Sequence, residues 1–243
     1  MKKLFSVIAC IGALYFAGGL TSCKKDSKND PVCRIGTISE TDMSGPSPST
    51  TLLSLSYDES GRISKLVAAG AGNFSKIFTY SGNAVHIVQS DAGGPQYVWD
   101  ISLNNNGYPL TITEKDKLGA VLSTVTMEYT GNTLSRIISI YTPGTEDTTT
   151  YNFSGGNMTN TSDGVLATYY TDKSYQQGDY LKLIQIVNYG VEYIRNKNLI
   201  KSIVSGTDTE NFTYEFDNTG KVTKLTLATG TSNISYDYTY SCN

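Results

Sequence analysis

Among residues whose chemistry their neighbours define, Cys23 stands first. Lys2 and Lys3 precede an apolar run from Leu4 to Leu20, and Leu20-Thr21-Ser22 then places small residues directly before a thiol. This is the pattern of a secretory signal ending in a lipidation site: a signal peptidase cuts before Cys23, whose sulfur is thioether-linked to a diacylglycerol. The run is too short for a spanning helix. Each buried acyl CH₂ adds about 0.8 kcal/mol, so several chains on one terminus would hold the protein on a bilayer almost permanently. The alternative is an ordinary signal peptide with a chance cysteine. Residues 1–22 are thus expected to be removed and the membrane to be the first partner.

The other thiols follow by elimination. Cys10 leaves with the signal and Cys23 is consumed by lipid, leaving Cys33 and Cys242 near the two ends of the mature chain. In an oxidising compartment they could stay separate, but their placement suits a staple between the first and last strands.

Acid–base and metal chemistry find little material. The lone histidine, His86, lies in an apolar strand pattern with no second ligand at metal spacing, and nucleophile-elbow, zinc-protease and P-loop motifs are missing from the sequence. Asp217 to Gly220 hints at a calcium loop but lacks its spaced carboxylates. Adjacent pairs such as Asp58/Glu59 and Glu146/Asp147 read as surface solvation. No cofactor, metal or catalytic residue is expected, and the chain reads as a non-enzyme. Aromatic residues offer the better functional hint: Tyr97 and Trp99, two apart on a strand, share a face, with Tyr108 just beyond the next turn. Such a face could stack on a glycan or a protein partner, or serve as cross-strand packing. Asp147-Thr148-Thr149 resembles the short O-glycosylation acceptor signal of exported Bacteroidetes proteins, with Thr148 as acceptor in a polar loop from Thr142 to Thr150.

Cleavage after residue 22 of 243 leaves 221 residues. Without Lys2 and Lys3, the 19 basic residues become 17 against 22 acidic, a formal charge of −5. That balance, with no basic cluster after Lys28, argues against nucleic acid as a partner. Residues 23–50 read as a charged, Pro- and Ser-interrupted tether holding a first strand over 32–38, and residues 51–243 as a single β domain.

The domain is repetitive. Tyr57-Asp58-Glu59-Ser60-Gly61-Arg62-Ile63 returns in looser form around Gly82, Gly107, Gly131, Gly156 and Gly220; the first five of these glycines are 21, 25, 24 and 25 residues apart, the length of a hairpin and its connection. In each unit an aromatic ends one strand, a polar residue begins the turn, and Gly takes the φ > 0 position. Ile63/Leu66, Leu134/Ile137 and Val222/Leu225 are spaced by three rather than two, which predicts a bulge just after the turn. Elsewhere alternation is clean, as in Leu53 to Tyr57 and Tyr236 to Tyr240, the mark of antiparallel strands with one packed face. The repeat lapses between about 165 and 205. There Asp179 and Gly190 could cap a short helix over 179–189 that closes one end of the sheet, although Ile186 and Val187 would suit a strand equally.

The unit at 57–63 resembles the YD repeats of Rhs-type proteins. Phe153 to Asn157, Asn196 to Ser202 and Phe212 to Val222 extend the likeness over roughly 33–242, which resembles a Bacteroidetes lipoprotein family, a domain of unknown function with a porin-like fold. The resemblance implies an all-β, antiparallel up-and-down meander of hairpins curled into a barrel-like sheet, closed or half-open, and no catalytic residues. It does not imply a pore, because the strands carry Ser, Thr, Lys and Asn where a spanning barrel needs apolar residues. Lys24 after the lipidated residue is compatible with an outer membrane, facing either the cell surface or the periplasm. Two functional classes follow: a glycan- or envelope-protein-binding module, and a structural or assembly scaffold.

Overall fold

The computed structural model describes residues 32–230 and 232–242; the signal peptide, Cys23 and Lys24 lie outside them. The meander has sixteen strands: β1 (Cys33–Asp42), β2 (Ser49–Tyr57), β3 (Ile63–Gly70), β4 (Phe74–Ser81), β5 (Ala84–Asp91), β6 (Gly94–Leu103), β7 (Pro109–Asp116), β8 (Val121–Thr130), β9 (Thr133–Tyr141), β10 (Thr145–Ser154), β11 (Asn157–Thr161), β12 (Leu166–Ser174), β13 (Asn198–Ser205), β14 (Asp208–Phe216), β15 (Val222–Ala228) and β16 (Asn233–Cys242). Among the described residues a single helix, α1 (Tyr180–Tyr189), separates β12 from β13. Each strand pairs with its sequence neighbours, and β1 meets β16, so the sheet is a closed barrel rather than an open one.

The barrel begins earlier than the expected boundary at residue 51. β1 runs to Asp42 rather than stopping at 38, because Ile35 and Ile38 face the core and the strand pairs with β2 from Thr37↔Ser54 to Asp42↔Ser49. Arg34–Ser241 form one compact unit, and Cys33 and Cys242 are joined by a disulfide.

The expected bulges are present. Ser56 pairs with Lys65 but Tyr57 with Ile63, which leaves Ser64 extra; Ser135 and Thr223 are extra in the same way after the Gly131 and Gly220 turns. The extra residue returns both members of each three-spaced pair to the inside: Ile63 and Leu66 are buried, as are Val222 and Leu225. All six repeat glycines have positive φ, from 55° to 87°.

The two faces of the wall differ sharply. Ser54, Ser56, Thr79, Ser81, Thr213 and Glu215 point outward and are exposed, among scattered exposed apolar residues such as Leu52, Ile77, Leu110, Ile140 and Leu166, whereas Leu53, Phe78, Ile87, Ile112 and Phe212 form an apolar interior. A membrane-spanning barrel has the opposite polarity, with an apolar band outside and a polar lumen. Sixteen strands enclose enough room for a channel, but here the space holds packed side chains and α1.

Asp179 and Gly190 cap α1 as the sequence predicts: Asp179 Oδ1 accepts from the Leu181 and Lys182 amides, and Gly190 sits at φ 66°. Leu181 and Leu183 of the helix belong to the barrel's hydrophobic core. Its N-terminal end is fixed to the β13–β16 wall, since Asp179 Oδ2 accepts from the Ile200 amide and Tyr180 packs on Phe212. Its C-terminal end reaches β4, where buried Lys76 donates through Nζ to the Val187 and Asn188 carbonyls at 3.1 and 3.2 Å. A cation there satisfies orphan carbonyls and suits the negative end of the helix dipole. Burial pushes the Lys76 ammonium down to about 8, against a smaller opposing pull from Glu114.

Candidate functional site

Between α1 and the wall formed by β1 to β6 there is a cleft of about 590 Å³. Its volume is in the range of small-molecule sites. The floor is aliphatic, with Ile38, Leu55, Ile63, Leu183 and Ile186. Four cations, Arg34, Arg62, Lys182 and Arg195, line it together with one carboxylate, Glu192. The chain as a whole carries a formal charge of −3, so this concentration of positive charge runs against its overall balance.

Each cation is set by its own local device. Arg62 comes from the first repeat unit, where the turn that places Gly61 at φ 77° also brings Asp58 onto the guanidinium at 2.7 Å. The guanidinium lies 4.2 Å above the Tyr80 ring. Arg34 crosses the bare Gly61 backbone, where a Cβ would stand 2.0 Å from its terminal nitrogen, and it stacks 5.6 Å over Tyr57. Tyr57 donates to the Ile35 carbonyl at 2.7 Å. Burial pushes the Tyr57 and Tyr80 hydroxyls up to about 12, only partly offset by Arg34 and Arg62, so both are neutral donors at physiological pH.

The segment after α1 delivers the remaining charges. Gln185 is buried on the helix; its Nε2 donates to the Leu181 and Ile194 carbonyls and its Oε1 accepts from the Tyr193 and Ile194 amides. Those four bonds fold the segment back and aim the flanking residues: Glu192 takes Lys182 at 2.8 Å and Arg195 at 3.4 Å. Arg195 also lies 4.8 Å over the Tyr108 ring.

Of the two roles open to Tyr97, Trp99 and Tyr108, stacking face or packing, their surroundings fit packing. Tyr97 and Trp99 share a face, as expected, but it is the inner one: Trp99 is 9% exposed, with Lys76 4.9 Å over its ring, and only Tyr97 reaches 40%. Tyr108 is 5% exposed and stacks on Tyr129 at 5.3 Å instead of joining them. Large rings are what a wide barrel uses to fill its interior. His86 points outward and contacts Asp100 at 2.8 Å, while Lys115 takes the other oxygen of that carboxylate at 2.7 Å. Thr148 is exposed, but it lies on β10 opposite Ile138 and not in a loop, because the hairpin turns tightly and β10 begins at Thr145.

Sequence reasoning found none of the cleft cations except Arg62, as part of its repeat unit. Arg34, Lys182 and Arg195 are isolated in the chain and meet only through barrel closure and the fold of the α1–β13 segment. A signal for Gln185 did exist: an amide on the apolar side of a helix pattern must find partners when buried.

No protein family matches the chain, and no curated protein matches it. Among solved structures, it is similar to a porin-like protein from Bacteroides uniformis, at 20% identity and a TM-score of 0.64, over 85% of this chain and 98% of that one. A second match, to the Pseudomonas aeruginosa MucA/MucB complex, covers 87% of this chain and 89% of that one at 10% identity; with a TM-score of 0.15 it carries no argument. The first likeness establishes a shared fold.

Proposed function

We propose that this chain is a cell-envelope lipoprotein, lipid-anchored through Cys23, whose barrel is a non-catalytic module that binds a glycan or an envelope partner. The cleft carries the reading: it is a formed cavity with an aliphatic floor and charged lining. A non-catalytic role is supported by the state of the nearby carboxylates. Glu192 is held by two cations and Asp58 by Arg62, so both carboxylates beside the cleft are engaged in ion pairs. The polar outer wall suits a domain held beside a bilayer and not within it.

A thermal-shift screen of the mature chain, carrying Cys23→Ser so that no detergent is needed, against glycans, envelope polymers and lipids tests the reading. A saturable rise in melting temperature supports a binding module. If nothing in the panel shifts it and the native protein instead co-purifies with a stable envelope partner that is unaffected by Arg34→Gln, the scaffold role replaces this one.

A further inference from the structure

We propose that the cleft's ligand is an amphiphile with an aliphatic body and a single anionic head, carboxylate or phosphate. This rests on the binding-module reading and names its ligand class.

The floor and the rim ask for different things. Ile38, Leu55, Ile63, Leu183 and Ile186 offer no hydrogen bond to a sugar hydroxyl but do suit a hydrocarbon body. The aromatic faces that could stack on a sugar are taken: Arg34 lies over Tyr57, Arg62 over Tyr80 and Arg195 over Tyr108. A neutral glycan therefore finds no free stacking face and an aliphatic floor, with side-chain amides only at Asn83, Asn104, Asn105 and Gln177 among the residues that line the cleft.

The rim supplies an excess of positive charge. Arg62 is neutralised by Asp58, and Glu192 is shared between Lys182 and Arg195. Arg34 lines the cleft with no carboxylate in ion-pair contact among the described residues. The cleft is thus left with two positive charges beyond its own carboxylates, beside an apolar floor. An anionic head can accept charge-assisted bonds from Arg34 and Arg195 while its chain covers the aliphatic floor. The chain's own tether is a poor occupant, since Lys24, Lys25 and Lys28 against Asp26 and Asp30 make it cationic as well.

The test is calorimetric titration of the mature Cys23→Ser chain with dodecanoate, dodecyl phosphate and neutral dodecanol, each below its aggregation concentration. Saturable one-to-one binding of either anion is expected, with dodecanol about tenfold weaker or more. Arg34→Gln and the more exposed Arg195→Gln should each weaken the anion about tenfold without lowering the unliganded melting temperature of at least one variant. The preferred head group separates a free carboxylate source from a phosphorylated lipid. Equal affinity for dodecanol, or anion binding that ignores both substitutions, would overturn the proposal. Failure of all three probes while a glycan still shifts the melting temperature would also overturn it and leave the binding module standing; silence across the whole panel would remove both.

Discussion

Asp179 ties the helix to the barrel, and its burial makes that tie dependent on pH. The side chain is fully buried and accepts from the Leu181, Lys182 and Ile200 amides and, at 3.4 Å, from the Tyr214 hydroxyl. Burial raises its folded-state pKa from an ordinary 3.8 to about 6, with the hydrogen bonds pulling the other way. Because the folded value lies above the unfolded one, the folded chain holds the proton more tightly. This contribution to stability is fully present below about pH 4 and is lost as pH rises through 6. A difference of about two pKa units corresponds to about 3 kcal/mol. Asp179→Asn keeps an oxygen for the helix amides but cannot titrate, and its amide nitrogen cannot accept from Ile200. The variant should therefore be less stable throughout, by about 1–3 kcal/mol at pH 7 for the unpaired amide, and its deficit should widen by about 3 kcal/mol at pH 4. Urea unfolding of both proteins between pH 4 and 7 reads the difference directly, and groups common to both, such as Glu40 and Glu210, cancel. A deficit that stays constant over that range would refute the reasoning.

Three further outcomes follow from the same geometry. Replacing Cys33 and Cys242 together by Ser opens a loop of 209 residues and should lower unfolding free energy by up to about 5 kcal/mol, measured by denaturant titration. Gly220→Val places a β-branched residue at φ 85° in otherwise open space, so its cost is backbone alone, about 1–2 kcal/mol, and an unchanged melting temperature would show that the turn does not need glycine. Gln185→Leu leaves the Tyr193 and Ile194 amides without their acceptor; a loss of about 2–5 kcal/mol, together with faster hydrogen exchange confined to residues 191–196, is expected.

Local chemistry was legible where it is written locally. The repeat glycines, the bulges inferred from Ile63/Leu66 and Val222/Leu225, the helix caps at Asp179 and Gly190 and the Cys33–Cys242 bond all depend on short spacing or on elimination, and all are present. What alternation cannot say is which of two faces turns inward, so Tyr97 and Trp99 could be placed together but their choice between stacking face and packing could not be read. The cleft was invisible for a different reason: Arg34 and Arg195 are 161 positions apart in the chain, and only closure of β1 onto β16 and the Gln185-pinned segment bring them to one rim. The contact between α1 and β4 is likewise long-range: Lys76 meets the Val187 and Asn188 carbonyls more than a hundred positions away.

The most direct test of the central claim, a lipid-anchored barrel whose wall faces water, is fractionation of cells expressing the wild-type chain and Cys23→Ala. The account predicts that the wild type is in the membrane fraction and incorporates labelled fatty acid, whereas the variant is unlabelled and stays in the aqueous fraction, folded and monodisperse without detergent. A variant that remained embedded in the membrane would contradict both the anchor and the reading of the polar wall.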